Sequence, residues 1–558
     1  MNINLNEELI IRADDIDNDK LLELYVESDE DINIIKNLVN KSPVLLIGSR
    51  GSGKTMLLRV AEKIIENSFE QDRVLPVFIT FKEAALIEGK YFKQWMLSKI
   101  LFQLKRKLVQ TCNMQSGIET ISRFFDVQFN ENNINVKIDE FNKLLQMCWR
   151  KKEINVKEKI CEIFNKDIKD IDILNEMDYF NALMEDICNE FRIKRIVFLF
   201  DEACHNFIPS QQRIFFTLFR DMRSQYVNCK AAVYPGIVSY GDVFQKFHDA
   251  TEIKIERKIN DDNYIKYMRE IIQKQIEESI YNKLVANGQL LNLLIYASSG
   301  NPRTLLKSLN AATKNLAAPL KSQTVVSVIK DFYRTDIWNE HTQLRDKYIG
   351  YKELIDWGRE FIESKVLEDT YLKNILDKNN QTVFFAIDRD SPEVVKQSIK
   401  ILEHSGIIAI HKEGFRKVSS GKSRLFDRYQ INLGIVLASE KNPNPPTRVT
   451  EIMDNLSSDL CSNYTMNSPT FNSIKDFNPI GVNDEISCVL EQILRKSIDE
   501  LEISDRLRSR IREAGYNTLG DILSHSEKDL QKVYLIGEIR SRAITNSAWN
   551  AAIEYISG

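Results

Sequence analysis

Two kinds of apolar pattern alternate along the first 260 residues. Short strand-like segments occur at 44–47 (VLLI), 74–81 (VLPVFITF), 196–200 (IVFLF), 230–234 (KAAVY) and 251–256 (TEIKIE). Runs of this length fit strands of a parallel sheet covered on both faces. Between them, apolar residues recur every three or four positions, as in 54–67 (KTMLLRVAEKIIEN). Strands alternating with helices predict a three-layer α/β core over residues 1–260. Residues 85–191 exceed what one crossover needs. Their Lys, Glu, Asn, Leu and Ile fall at helical spacing, which predicts a helical insertion between the second and third strands. Helical periods continue over 261–335.

The pattern changes after residue 390. Ser391-Pro392-Glu393 reads as a helix start, with Ser391 as N-cap, Pro392 at the first position and Glu393 in the first turn. The helix ends at His404-Ser405-Gly406. A strand over 407–411, a polar loop over 412–422 and a strand over 423–431 follow. Helix, strand, basic loop and strand resemble a winged helix, assigned to 336–440. Residues 441–482, opened by KNPNPPTR and rich in Ser and Asn, predict an extended linker. Residues 483–558 predict a small helical domain.

The chain of 558 residues has 76 Lys and Arg against 80 Asp and Glu, a net charge of −4. No global basic field exists, so contact with nucleic acid requires a local patch. One such patch is the predicted wing. Lys412, Arg416, Lys417, Lys422, Arg424 and Arg428 there face only Glu413 and Asp427. The eight cysteines form no C-x-x-C pair, which argues against a zinc ribbon and fits a reducing compartment. No run of about 18 apolar residues and no signal-peptide pattern are present, so a soluble, cytoplasmic protein is expected.

The sharpest chemical signal is Gly48-Ser49-Arg50-Gly51-Ser52-Gly53-Lys54-Thr55, a G-x-x-x-x-G-K-[ST] loop between a strand and a helix. Glycines let successive backbone N–H groups turn inward, and the helix start adds its positive end. The loop residues Gly48 to Thr55, with Met56, are the candidate nucleotide contacts. Lys54 would reach the β and γ phosphates, and Thr55 would ligate Mg2+. The third apolar run ends in Asp201-Glu202, which delivers two carboxylates to the same sheet edge. Asp201 is the second candidate for Mg2+. Glu202 is the candidate for polarising an attacking water. Downstream, Gly300-Asn301-Pro302-Arg303 opens a helix, leaving Arg303 in a first turn where the helix dipole disfavours a cation. A phosphate partner would account for it.

Together these motifs resemble the AAA+ ATPases over about residues 20–320. The closest branches are the replication-initiator (origin-recognition) proteins and the related STAND signalling NTPases. The resemblance implies ATP and Mg2+ as cofactors and slow ATP hydrolysis. It makes 261–335 a helical lid whose Arg303 senses the γ-phosphate, so that Lys54, Glu202 and Arg303 form the catalytic set. The family's polar sensor after the fourth strand is absent, and Tyr234 or Ser239 stands in that region. Arg257, Arg220 and Arg223 are candidates for an arginine acting on a neighbouring subunit. From 499 to 556, the segments Leu501–Leu523 and Val533–Ser541 resemble the C-terminal domain of the RNA polymerase alpha subunit, a helix-hairpin-helix module in which Arg506 matches a minor-groove arginine. From Arg495 onward the module carries ten bases and ten acids. Arg506/Arg510 and Arg508/Arg512 are like-charge i,i+4 pairs, which favours an anionic partner.

Two functions follow. In one, nucleotide state gates DNA binding through the winged helix and the helix-hairpin-helix module, or gates assembly into a homo-oligomer. In the other, a STAND-like defence or signalling switch oligomerises and acts through protein partners. Neither involves a membrane.

Overall fold

The computed structural model describes residues 9–81, 92–112, 177–203, 208–347 apart from 237 and 242, 349–419, 422–440, 445–477 and 494–557 apart from 502 and 526, with 140 and 162 in addition. Five strands form one parallel sheet: β1 (Val44–Ile47), β2 (Val74–Thr80), β3 (Arg195–Asp201), β4 (Val227–Val233) and β5 (Thr251–Lys254). Their order is β2-β3-β4-β1-β5. Alternate side chains leave opposite faces. Leu45, Val77, Phe198 and Phe200 meet Trp95, Phe180 and Phe215 on one side. Val44, Leu46, Val197 and Leu199 meet Leu57, Leu58 and Ala61 on the other. This is the parallel three-layer α/β core that the pattern predicts.

β4 starts at Val227, three residues before the predicted run, and carries the fully buried Lys230. The Lys230 ammonium donates to the carbonyls of Asn37 (2.9 Å), Asn40 (2.7 Å) and Ser42. It thereby caps the C-terminal end of the helix Asp29–Val39, whose last carbonyls lack intrahelical donors. Burial still drives its pKa down to about 7. Of the 85–191 insertion, the helices Phe92–Cys112 and Met177–Glu190 pack on the sheet, between β2 and β3 in the chain. Its middle lies outside the described residues.

After β5, the helices Tyr264–Gln273, Gly288–Ala297 and Pro302–Thr313 pack together in the segment that the resemblance makes a lid. Their apolar faces join one continuous core with the winged-helix region, from Ile259 through Leu294, Leu305 and Tyr333 to Phe385, Ile431 and Ile474. The second sheet has the order β7-β8-β6-β9, with β6 (Phe384–Asp388), β7 (Ile408–Ser419), β8 (Lys422–Ile431) and β9 (Ser462–Tyr464). The helix Glu393–His404 connects β6 to β7.

Four expectations are corrected here. Residues 412–419 form strand, not loop, pairing with β8 through two register shifts. Apart from Phe415 and Phe426, which pack toward the core, this ribbon is mostly polar and partly exposed, so its sequence imitates a loop. Pro392 occupies the N-cap position of the next helix, and the buried Ser391 hydroxyl has no partner. In the expected linker, the helix Pro445–Asp454 and β9 are folded, with Val449, Ile452, Tyr464, Phe471 and Ile474 buried in the shared core. Their apolar residues are few and widely spaced, so composition concealed them. Lastly, the C-terminal arginines are only partly free. Arg508 pairs with Asp505 (2.5 Å) and donates to the Leu501 and Ile503 carbonyls, and Arg512 pairs with Asp499 (2.5 Å). That module packs its helices Asp505–Glu513, Leu519–Leu523 and Glu538–Ser557 around Leu501, Ile511, Ile522 and Ile544.

Candidate functional site

The loop after β1 turns because Gly51 (φ 79) and Gly53 (φ 100) are left-handed, and Gly53 caps the helix Lys54–Asn67. A Cβ on Gly51 would also lie 2.6 Å from Asn301 Oδ1 and 2.7 Å from Arg303 Cβ. Glycine is therefore needed both for conformation and for close approach of the lid. Lys54 is buried, and its Nζ donates to the Gly48 (2.6 Å) and Ser49 (2.9 Å) carbonyls. Burial pushes its ammonium pKa well down, against the attraction of Asp201.

Asp201 ends β3, and its Oδ2 accepts from Thr55 Oγ1 at 2.8 Å. Burial, then the neighbouring Glu202, raises the Asp201 pKa. Glu202 has a left-handed backbone (φ 55), a strained conformation for a non-glycine residue. It turns the second carboxylate out of the strand's alternation and into the cleft. β4 lies between β1 and β3, so the residue after it, Tyr234, arrives between loop and acids. Its ring centroid is 3.8 Å from Lys54 Nζ. Ser239 takes no such place; its backbone N–H donates to Gln212 Oε1 at 2.7 Å.

The helix Pro302–Thr313 of the expected lid forms the other side of the cleft. Asn301 caps the helix Pro302–Thr313 by accepting from the Thr304 N–H (3.1 Å), and its Nδ2 donates to the Arg50 carbonyl (2.7 Å). One side chain thus ties lid to loop. Arg303 lines the cleft, and its buried Nε has no partner. Burial, then the nearby Arg50 charge, lowers its pKa. The far wall was not foreseen. Ile10, Ile11, Tyr25 and Val26 face Tyr267 and Ile271, with the Ile10 N–H donating to Gln275 Oε1 (2.9 Å). Apolar pairs within an otherwise acidic N-terminal stretch were the available signal.

Gly51, Gly53, Lys54, Thr55, Met56, Glu202 and Arg303 share this cleft. Gly48, Ser49 and Ser52 turn instead toward a second cleft behind the loop, beside Gly300, Glu403 and His411. Arg50 points outward, with Nη1 2.8 Å from Glu340 Oε1. Asp201 reaches the cleft through Thr55. Arg257 is buried within its own chain, bonded to Tyr267 OH (2.9 Å), the Ser52 carbonyl and Asp31 (3.5 Å). Arg220 pairs with Asp221 (2.6 Å), and Arg223 is exposed.

The donor set fits a nucleoside triphosphate with Mg2+. A buried guanidinium nitrogen without a partner and a buried ammonium bonded only to carbonyls both call for an anion. A hydroxyl–carboxylate pair supplies the hard oxygen donors Mg2+ prefers. The aromatic and aliphatic far wall suits a planar base.

Comparison with known proteins gives two partial likenesses. No curated protein is a significant match. Among solved structures, the protein is similar to the ORC2 protein of Aeropyrum pernix in its ADPNP–ADP complexes, at 13% identity and a TM-score of 0.34. It is also similar to the ORC1 protein of that organism in complex with DNA, at 12% identity and 0.32. Each alignment covers 78% of this protein and 96% of the other. Residues 10–63, which hold the far wall's first half and the whole glycine loop, match the ORC-CDC6-like family. Residues 487–539 match the C-terminal domain of the bacterial RNA polymerase alpha chain.

Proposed function

We propose that this protein is an ATP-binding switch whose nucleotide state gates its contact with DNA. The observation that carries the reading is the convergence of Lys54, Thr55, Glu202 and the unpartnered Arg303 on one cleft with an aromatic far wall. In it, Lys54 and the loop N–H groups bind the phosphates, and Thr55 and Asp201 hold Mg2+. Arg303 contacts the terminal phosphate from the lid. The bound ion would offset phosphate charge. Glu202 orients a water for slow hydrolysis. The ATP and ADP forms differ at the phosphate that Arg303 reaches, so lid position follows nucleotide state.

DNA contact is supported by the wing and the C-terminal match. Within the wing, Arg424 is tied to Asp388 (2.9 Å), and Arg428 is buried beside Asp459 (3.5 Å) over the Phe415 ring. Lys412, Arg416 and Lys417 remain for phosphate contact. In the C-terminal module, Arg506 and Arg510 lie apart from the internally paired Arg508 and Arg512. A second reading, a signalling switch acting on a protein partner, draws on that module's exposed Tyr534, Leu535 and Ile539.

Fluorescence anisotropy with duplex and single-stranded oligomers tests the reading, with ATP, with ADP and without nucleotide, at two salt concentrations. ATP-dependent binding that weakens with salt and disappears in Lys54→Ala is expected. Absence of DNA binding in every nucleotide state refutes it and leaves the protein-partner reading.

A further inference from the structure

The winged-helix region reaches back to the nucleotide loop. On the helix Ile337–Lys347, the Glu340 carboxylate contacts Arg50, the third residue of the glycine loop, at 2.8 Å. The next residue, His341, is fully buried, with Nδ1 2.8 Å from Ser405 Oγ at the end of the helix Glu393–His404. That helix end lies on the loop as well. A Cβ on Gly406 would lie 3.9 Å from Ser49 Cβ, and the His404 ring centroid is 5.3 Å from that of Tyr234. One hydrogen bond therefore joins two helices that both touch the site.

Arg50 adjoins Gly51, which lines the cleft, and its carbonyl accepts from Asn301 Nδ2 (2.7 Å). Its charge acts on Lys54, Arg303 and Lys307, lowering the pKa of each. Glu340 opposes that crowding at both Arg303 and Lys307. It is an anion supplied by the winged-helix region to cations that a terminal phosphate would also attract. An Arg guanidinium that binds a carboxylate binds a phosphate with the same fork of donors.

Building on the nucleotide-switch reading, we propose that Glu340 competes with the terminal phosphate of a nucleoside triphosphate for Arg50, so that triphosphate binding detaches the helix Ile337–Lys347 from the loop. A diphosphate leaves the Arg50–Glu340 pair in place. The carboxylate is half exposed, so the pair is easily broken and the competition is modest.

The test is titration of the full-length protein with fluorescent N-methylanthraniloyl ATP and ADP. Wild type, Glu340→Gln and Arg50→Gln are compared. Glu340→Gln is expected to bind the ATP analogue about fivefold more tightly, with the ADP analogue changed less than about twofold. Arg50→Gln, which breaks the same pair from the other side, is expected to bind the ATP analogue more weakly. Unchanged ATP affinity in Glu340→Gln, or equal tightening of both nucleotides, overturns the proposal while leaving the switch reading intact. Failure of the wild type to bind either nucleotide removes the switch reading itself and this proposal with it.

Discussion

Replacing Arg303 by Met separates stability from binding, because the two should move in opposite directions. Met keeps the aliphatic stem and removes a guanidinium whose buried Nε has no partner. An unsatisfied buried donor costs about 1–3 kcal/mol. The nucleotide-free variant should therefore be at least as stable as wild type, and up to about 1 kcal/mol more stable once lost packing is allowed for. Binding should suffer. A hydrogen bond to a charged group contributes about 1.5–3 kcal/mol, so ATP affinity should fall about 10- to 150-fold. At ATP equal to about 100 times the wild-type Kd, ligand stabilises the wild type by about 2.7 kcal/mol. For a variant about 30-fold weaker at the same concentration the gain is about 0.9 kcal/mol. Urea unfolding with and without ATP and Mg2+ reads both quantities. A variant less stable than wild type without nucleotide, yet equally stabilised by ATP, would refute the assignment and make Arg303 a packing residue.

Three further outcomes are expected. Glu202→Gln should retain ATP affinity while steady-state hydrolysis falls about 100-fold, as for loss of a general base; equal turnover would exclude Glu202 from water activation. Gly434→Ala would drive a Cβ into the buried Tyr333 ring and should destabilise by about 2–3 kcal/mol in urea; a change below about 0.5 kcal/mol would mean that the ring has room to shift. Burial pushes His341 down to about 4 from 6.5, so it is neutral in the fold while the unfolded chain takes up the proton near 6.5. Its contribution is complete above pH 6.5 and is lost as pH falls toward 4, by about 2 kcal/mol at pH 5. His341→Asn should flatten the dependence of the urea midpoint between about pH 7.5 and 5, and a parallel profile would assign it elsewhere.

Local chemistry made one half of the site legible. A loop that must aim N–H groups inward needs glycines in order, and a buried strand that must end in carboxylates shows an apolar run followed by acids. Gly51, Gly53, Lys54, Thr55, Asp201 and Glu202 were therefore readable from spacing alone. Asn301 and Pro302 marked a helix start, which placed Arg303 in a first turn. The parallel sheet followed from short apolar runs between helical periods.

The rest depended on which strands and helices become neighbours, and that is set by packing over long sequence separations. Strand order put Tyr234 over Lys54, which no local pattern encodes. The far wall joins Ile10 and Tyr25 to Tyr267 and Ile271, more than 200 residues away in sequence. Composition misjudged residues 445–477, because a few buried apolar side chains suffice when a neighbouring core supplies the remaining surface. It also overcounted free arginines, since Arg424, Arg428 and Arg512 are paired with carboxylates that only the fold brings close, and Arg508 with Asp505 one helical turn away. A charge counted along the sequence is a local quantity, whereas the field it produces depends on its partners in space. Sequence therefore determined which groups are candidates to bind a phosphate, and tertiary structure decided which of the charged groups are paired within the fold.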